Sequence, residues 1–180
     1  RMHSEGGATS TSEEAGEATA PAPDPEEERE RAREYLLRAL TASAKSRSRL
    51  ARGLADRAVD PDIAAEVLDR CEEGGLIDDV QYAHTLVRTR FAERGLSRRA
   101  LAAELRNKGI AEAVARDALD QVDDDAELMA ARRLAASRAA RMTSLPPDVR
   151  RRRLAGFLGR KGYSSSVSMQ VIREVVDGAD

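Results

Sequence analysis

Three segments of the chain place their apolar residues at one shared set of steps. Leu50, Leu54, Val59, Ile63, Val67 and Leu68 are spaced +4, +5, +4, +4, +1. Leu101, Leu105, Ile110, Val114, Ala118 and Leu119 have the same spacing, and so do Leu154, Leu158, Tyr163, Val167, Val171 and Ile172. A step of four keeps side chains on one helical face, and the step of five marks a break between two helices. Val59 and Ile110 are 51 residues apart, Ile110 and Tyr163 are 53. A period of about fifty residues that ends in two short amphipathic helices predicts a helical repeat. Each unit is expected to be a longer lead helix, a short helix, a tight turn and a closing helix. One such unit has a thin core, so the units should pack end to end into an elongated, curved body.

Local signals place the lead helices. From Pro25 the run Glu-Glu-Glu-Arg-Glu-Arg sets opposite charges three and four apart, followed by Tyr35, Leu36, Leu37 and Leu40 as an apolar face. Residues 41–48 are a polar, basic junction. Asp60-Pro61 reads as an N-cap followed by proline at the first helical position, ahead of a third helix that turns Ile63, Val67, Leu68 and Cys71 inward. Gly74 and Gly75 end that helix, and Asp78 or Asp79 caps the next. Tyr82, Ala83, Leu86 and Val87 make its stripe, and Gly95 stops it. Asp123, Asp124 and Asp125 open the third lead helix, which continues through Leu128, Met129, Ala131, Leu134 and Ala135 until Thr143-Ser-Leu-Pro-Pro147. The chain has no Trp, three Tyr and two Phe, and this scarcity of residues suited to strands supports an all-α class. The expected units are residues 29–77, 78–122 and 123–180, behind a disordered acidic N-terminal tail, residues 1–28.

That tail holds eight acids and one base, and the rest of the chain holds 24 acids and 29 bases. Tail acids can mimic phosphate against a basic site on the body, or simply stay solvated. Cys71 is the only cysteine, so no disulfide forms within the chain, and no Cys/His cluster suits zinc. No apolar run approaches the ~20 residues of a membrane span, and residues 1–28 lack the apolar core of a signal peptide. The expectation is a cytoplasmic monomer.

No catalytic constellation is visible. His84 is the only histidine outside the tail and reads as a surface or packing residue. Asp78-Asp79 reads as helix capping in preference to a metal pair, and the chain shows no phosphate loop. No cofactor and no metal are expected, and the chain is not expected to be an enzyme. Basic residues, in contrast, recur. Lys45, Arg47, Arg49 and Arg52 stand at the first short helix, Arg98 and Arg99 at the second, and Arg150, Arg151, Arg152 and Arg153 at the third. Arg57, then Arg106 with Lys108, then Arg160 with Lys161 stand near the following turns. Matching clusters in stacked units would line one edge, and guanidinium groups pair well with phosphates. No aromatic residues interleave them, which argues against stacking on unpaired bases.

The residues Gly75-Leu-Ile-Asp-Asp-x-x-Tyr-Ala83, Val87-Arg-x-Arg90, Gly95 and Leu101-x-x-Glu-Leu-Arg-x-Lys-Gly-Ile110 resemble the core signature of the RecX family, regulators of RecA. Leu36-Leu-x-x-Leu40 with Arg47-Ser-Arg49 is similar to that family's first unit, and Leu154-x-x-Phe-Leu-x-Arg-Lys-Gly-Tyr163 to its last. Ala58-Val59 departs from it, since the family usually has glycine and an aromatic residue there. The resemblance implies a protein that binds RecA and the RecA filament on single-stranded DNA, lies in the filament groove, and inhibits strand exchange and ATP hydrolysis. That places it in homologous recombination, DNA repair and the SOS response. Filament or DNA contact is expected of Arg47, Arg49, Arg90, Arg98, Arg99, Arg106, Lys108, Arg150 to Arg153, Arg160 and Lys161; this rests on the recurrence of charge, since the family signature alone does not assign those roles. The alternative is an independent DNA-binding module of helix-turn-helix type.

Overall fold

A computed structural model describes residues 21–178, and all regular structure among them is helical. Repeat 1 consists of α1 (Pro25–Ala42), α2 (Arg47–Ala55) and α3 (Pro61–Glu73). Repeat 2 consists of α4 (Asp79–Arg94), α5 (Arg98–Asn107) and α6 (Glu112–Leu119). Repeat 3 consists of α7 (Asp124–Ala139), α8 (Pro147–Arg160) and α9 (Ser165–Ile172), and α9 runs on into a π-helical turn, Arg173–Asp177. The expectation of disorder up to residue 20 falls outside the described residues. Residues 25–28 form the first turn of α1, where Asp24 caps by accepting from the Glu26 N–H. Glu28 is buried and accepts from the Asp60 N–H at 2.7 Å.

Short polar side chains start most of these helices, because the first N–H groups of a helix have no partner inside it. Ser46, Ser97 and Ser164 cap α2, α5 and α9, while Asp60, Asp78 and Asp123 cap α3, α4 and α7. The apolar steps read from the sequence become three separate cores. Leu36, Leu50, Leu54, Val67, Leu68 and Ile77 fill the first; Val87, Leu101, Leu105, Ala118 and Val122 the second. Ala135, Leu154, Leu158, Tyr163 and Val171 fill the third. Every substantial helix-to-helix packing lies within one repeat.

Leu37, expected on the apolar face of α1, is 52% exposed, and two further features differ from the expected pattern. The third "short" helix has 14 residues, because Pro147 at a first helical position starts it a turn early. Met129, expected on the α7 stripe, is 66% exposed; alanines 130, 131, 135 and 139 form the inner face instead. A small-residue face suits α7, which packs against α8, α9 and the π-turn together.

The repeats meet at the N-termini of the short helices. Ser46 Oγ donates to the Lys108 carbonyl at 2.6 Å, and the Arg47 N–H donates to Asp79 Oδ1 at 2.9 Å. One repeat later, the Ser97 N–H donates to the Lys161 carbonyl at 3.0 Å, and the Arg98 N–H donates to Glu127 Oε1 at 2.9 Å. Asp78 therefore caps its own helix, whereas Asp79 caps the helix of the preceding repeat. In each case the tight turn of one repeat lies on the short helix of the repeat before it. Gly109 and Gly162 have φ of 72° and 93°, and an added Cβ would run into Ser48 at the first and Ser97 and Ala100 at the second. Tyr163 completes the second junction, its hydroxyl donating to the Gly95 carbonyl at 2.7 Å.

Gly109→Ala is expected to destabilise the chain by about 2–4 kcal/mol, from left-handed backbone strain plus the collision with Ser48. Gly75→Ala has the same sign of φ and open space around it, so it should cost only the strain, about 1 kcal/mol. Urea unfolding of the two variants checks the difference. Burial pushes the Tyr163 phenol up to about 12. A raised folded-state value means that its contribution is complete below the ordinary phenol range near 10 and disappears as pH rises toward 12. Ultraviolet titration should therefore show the last-ionising tyrosine missing in Tyr163→Phe.

Candidate nucleic-acid interface

The basic residues that recur in the sequence divide into two groups. Those at the first position of the repeat motif serve the fold. Arg47 sits between Asp69 and Glu72 of α3, at 2.6 Å from each. Arg151, at the equivalent place in repeat 3, sits between Asp148 at 2.7 Å and Asp177 at 2.6 Å. Arg98 lies 3.6 Å from Asp124. Arg90 is held by Glu104 at 2.9 Å. Lys161 Nζ donates to the Arg94 carbonyl at 2.7 Å, and Arg99 Nε to the Gly162 carbonyl at 3.1 Å, so both stitch repeat 3 to repeat 2.

The second group has no intramolecular anion. Among the described residues, the side chains of Arg49, Arg106, Arg152, Arg153 and Arg160 are exposed and form neither a hydrogen bond nor an ion pair. Lys108 is half-buried, its backbone carbonyl fixed by Ser46 while its ammonium has no carboxylate partner. Arg150 is half-buried, with a covered Nε that has no hydrogen-bond partner. These residues contribute at least one cation to each repeat, on or next to α2, α5 and α8. That spacing can meet a long polyanion at several points; it cannot form a single pocket. Exposed charges of this kind keep most of their hydration until a phosphate arrives, so individual contacts are weak and salt-sensitive.

The N-termini of α2 and α5 are closed off by Asp79 and Glu127 and by the turns of the following repeats. Neither can offer its first residues to base edges as a recognition helix does. His84, read from the sequence as a surface or packing residue, pairs across α4 and α6 with Asp117, whose Oδ2 lies 2.8 Å from its Nε2. Residue spacing along the chain could not show this pairing, because it spans 33 positions. Gln121 donates to the His84 carbonyl, so these contacts fasten the end of α6 to α4. Among the described residues no group of acids, histidines and cysteine is arranged to hold a metal, and no helix is long and apolar enough to cross a membrane. Cys71 is partly buried, which pushes its thiol up from the ordinary value. The junction roles of Ser46, Asp79, Ser97 and Glu127 escaped the sequence reading; the detectable signal was that Asp79 and Glu127 each stand four residues before a buried alanine of their lead helix, Ala83 and Ala131.

Comparison with known proteins agrees with this architecture repeat by repeat. Residues 32–71, 78–119 and 125–172 match the family descriptions of the first, second and third three-helix domains of RecX. The chain is 44% identical over 141 residues to the regulatory protein RecX of Streptomyces coelicolor, covering 78% of this chain and 75% of that one. It is 40% identical over 141 residues to the RecX of Thermobifida fusca, covering 78% and 76% of the two chains. Among solved structures, RecX from Lactobacillus salivarius superimposes with a TM-score of 0.73 at 22% identity, over 83% of this chain and 97% of that one. A second regulatory protein RecX superimposes with a TM-score of 0.70 at 26% identity, over 82% and 72%.

The surface pair Arg132–Glu174 gives the stability of repeat 3 a small acid-sensitive contribution. Arg132 holds the Glu174 carboxyl down at about 2, against an ordinary value of 4.5, through hydrogen bonds of 2.7 and 2.9 Å. A depressed folded-state value means that the contribution is present above pH 4.5 and is lost as pH falls toward 2. Thermal unfolding between pH 5 and pH 2 should show a shallower acid decline in Arg132→Gln than in the parent chain.

Proposed function

This chain belongs to the RecX family, and from that premise we propose that it regulates RecA by binding RecA and its filament on single-stranded DNA, inhibiting strand exchange and ATP hydrolysis. The observation that supports this reading is the distribution of unpaired cations over all three repeats. A filament presents the same protein and phosphate surfaces again and again along its groove. A row of three similar units can meet several of them together, and weak contacts then gain from effective concentration. Arg49 in repeat 1, Arg106 and Lys108 in repeat 2, and Arg152, Arg153 and Arg160 in repeat 3 are the residues assigned to the filament or its DNA. Arg47, Arg90 and Arg151 act at one remove, by fixing the helices that carry them. The site of action is the cytoplasm, in homologous recombination and the SOS response.

An independent DNA-binding module is the other reading. The closed N-termini of α2 and α5 speak against base-specific docking by those helices, so this reading would rest on phosphate contacts alone.

RecA ATP hydrolysis on single-stranded DNA, measured with the protein titrated well below one per RecA, tests the proposal. Inhibition at such ratios supports it and points to filament growth or ends; inhibition only near stoichiometric amounts points to coating of the groove. An unchanged rate at every ratio, together with equal affinity for bare DNA and filament, would transfer the function to the DNA-binding module. Arg152→Glu with Arg153→Glu should weaken filament binding and reduce the slope of log affinity against log salt by about 1.4, if both arginines meet phosphates of a single strand. Arg47→Ala should lower stability with little change in that slope.

A further inference from the structure

The first junction leaves apolar surface uncovered. Repeats 1 and 2 meet through the end of α2, and α1 and α4 face each other across a groove of about 490 Å³ instead of packing together. Leu40 of α1 forms one wall, Tyr82 and Leu86 of α4 the other, and Leu76 stands in the turn between α3 and α4. Leu76 is 53% exposed and belongs to none of the three cores. Its backbone is fixed all the same. Gly75 is left-handed, and the N–H groups of Gly75 and Leu76 donate to the Glu72 and Cys71 carbonyls at 3.0 and 2.8 Å, which closes the end of α3. Leu37, one turn before Leu40 on the same face of α1, is exposed as well.

The polar groups of the groove are of two kinds. Gln81, Tyr82, Thr85 and Thr89 bring neutral donors and acceptors along one side of α4, and among the described residues none of these side chains forms a hydrogen bond. The charged groups leave no positive excess. Lys45 and Arg90 are the cations, and Asp78 is the acid of the lining. Glu104 holds Arg90 at 2.9 Å, and Asp79 adds its negative charge close to Tyr82. Lys45 donates to the Ala39 carbonyl at 3.0 Å and to the Ser43 hydroxyl at 2.6 Å, and meets no carboxylate. Two cations therefore stand against three carboxylates, the reverse of the unpaired arginines on α2, α5 and α8.

We propose that this groove docks an uncharged, apolar segment of the RecA protein, an inference that rests on the regulation of RecA. A polypeptide matches the groove on both counts. Apolar side chains fit among Leu40, Leu76, Tyr82 and Leu86, and neutral backbone amides can meet Gln81, Tyr82, Thr85 and Thr89. Pockets with apolar and aromatic walls carry a large share of the affinity between proteins. A DNA strand, in contrast, would bring phosphates beside Asp78 and Asp79 with only Lys45 to receive them. A docked segment touches both repeats, so it also fixes the angle between them. Contact with protein and contact with phosphate then fall on different surfaces of the chain.

The test measures affinity of the full chain for RecA without DNA, and for the RecA filament on single-stranded DNA, as salt is varied. Leu76→Asn removes an exposed apolar side chain and adds no charge. Thr85→Arg, at an exposed position of α4, crowds the groove and adds a cation. Both should weaken binding to RecA without DNA by about tenfold or more. Both should leave the slope of log affinity for the filament against log salt at its parent value. A phosphate occupant reverses the sign for Thr85→Arg. Tighter filament binding with a steeper slope, and no change for RecA alone, would overturn the proposal. Parent-like affinity for RecA in either folded variant overturns it too, and leaves the regulation of RecA in place. A parent chain that binds neither form of RecA overturns both. Thermal unfolding verifies that each variant is folded; if Leu76→Asn is not, Thr85→Arg decides alone.

Discussion

The N-terminus of the short helix is the point on which the stack depends. A helix begins with N–H groups that have no partner within it, and at a buried end each unmet donor is costly. In α2 and α5 one donor goes to the helix's own serine and another to an acid from the next lead helix, Asp79 or Glu127. The acid is placed where the positive end of the helix dipole favours it. Because the three apolar cores are separate, cohesion between repeats falls largely on these polar contacts and on the turn glycines that let the chains approach. Hydrogen bonds have a direction, so the stack has one too: among the described residues each junction runs from the turn of one repeat to the short helix of the repeat before it.

The same economy decides what the arginines do. Recurrence in the sequence suggests one basic stripe, yet Arg47 and Arg151 hold the same motif position and both are clamped between two carboxylates of their own repeat. A position can recur because the fold needs it in every copy. The cations left for a partner are Arg49 and Arg153, which share the motif position just before Leu50 and Leu154, together with Arg106, Arg152 and Arg160. Their number is greatest in repeat 3, where the longer α8 begins a turn early and carries four arginines in succession.

Within the repeats, much of the architecture was legible because it follows from local chemistry. The +4 and +5 steps, the Asp60-Pro61 start and the Gly95 stop are each determined by residues within one or two turns, and each appears as expected. What escaped depends on residues far apart in sequence. Asp79 and Asp78 are equally good caps for α4 on local grounds, and only the position of α2 assigns the first to another helix. Met129 fits the α7 stripe by spacing, but the inner face is narrow and alanines take it. His84 finds Asp117, and Glu28 finds Asp60, across 33 and 32 positions. The basic site was the least legible part, because a sequence shows where arginines stand and not which of them already have a carboxylate.

The two junctions repeat one plan with unequal strength. At the second, Tyr163, Lys161 and Arg99 all donate to backbone carbonyls across the boundary, in addition to the shared helix-end contacts. At the first, Ile110 stands at the motif position of Tyr163, lies in the core of repeat 2 and has no hydroxyl to offer. A groove of about 490 Å³, walled by Leu40, Leu76, Tyr82 and Leu86, remains between α1 and α4 there. Polar contacts across a boundary resist rotation because each works over a narrow range of distance and angle. Repeats 2 and 3 are therefore tied in more directions than repeats 1 and 2, so in the proposed binding to a helical filament the more adjustable joint lies on the side of repeat 1, away from the unpaired arginines on α8.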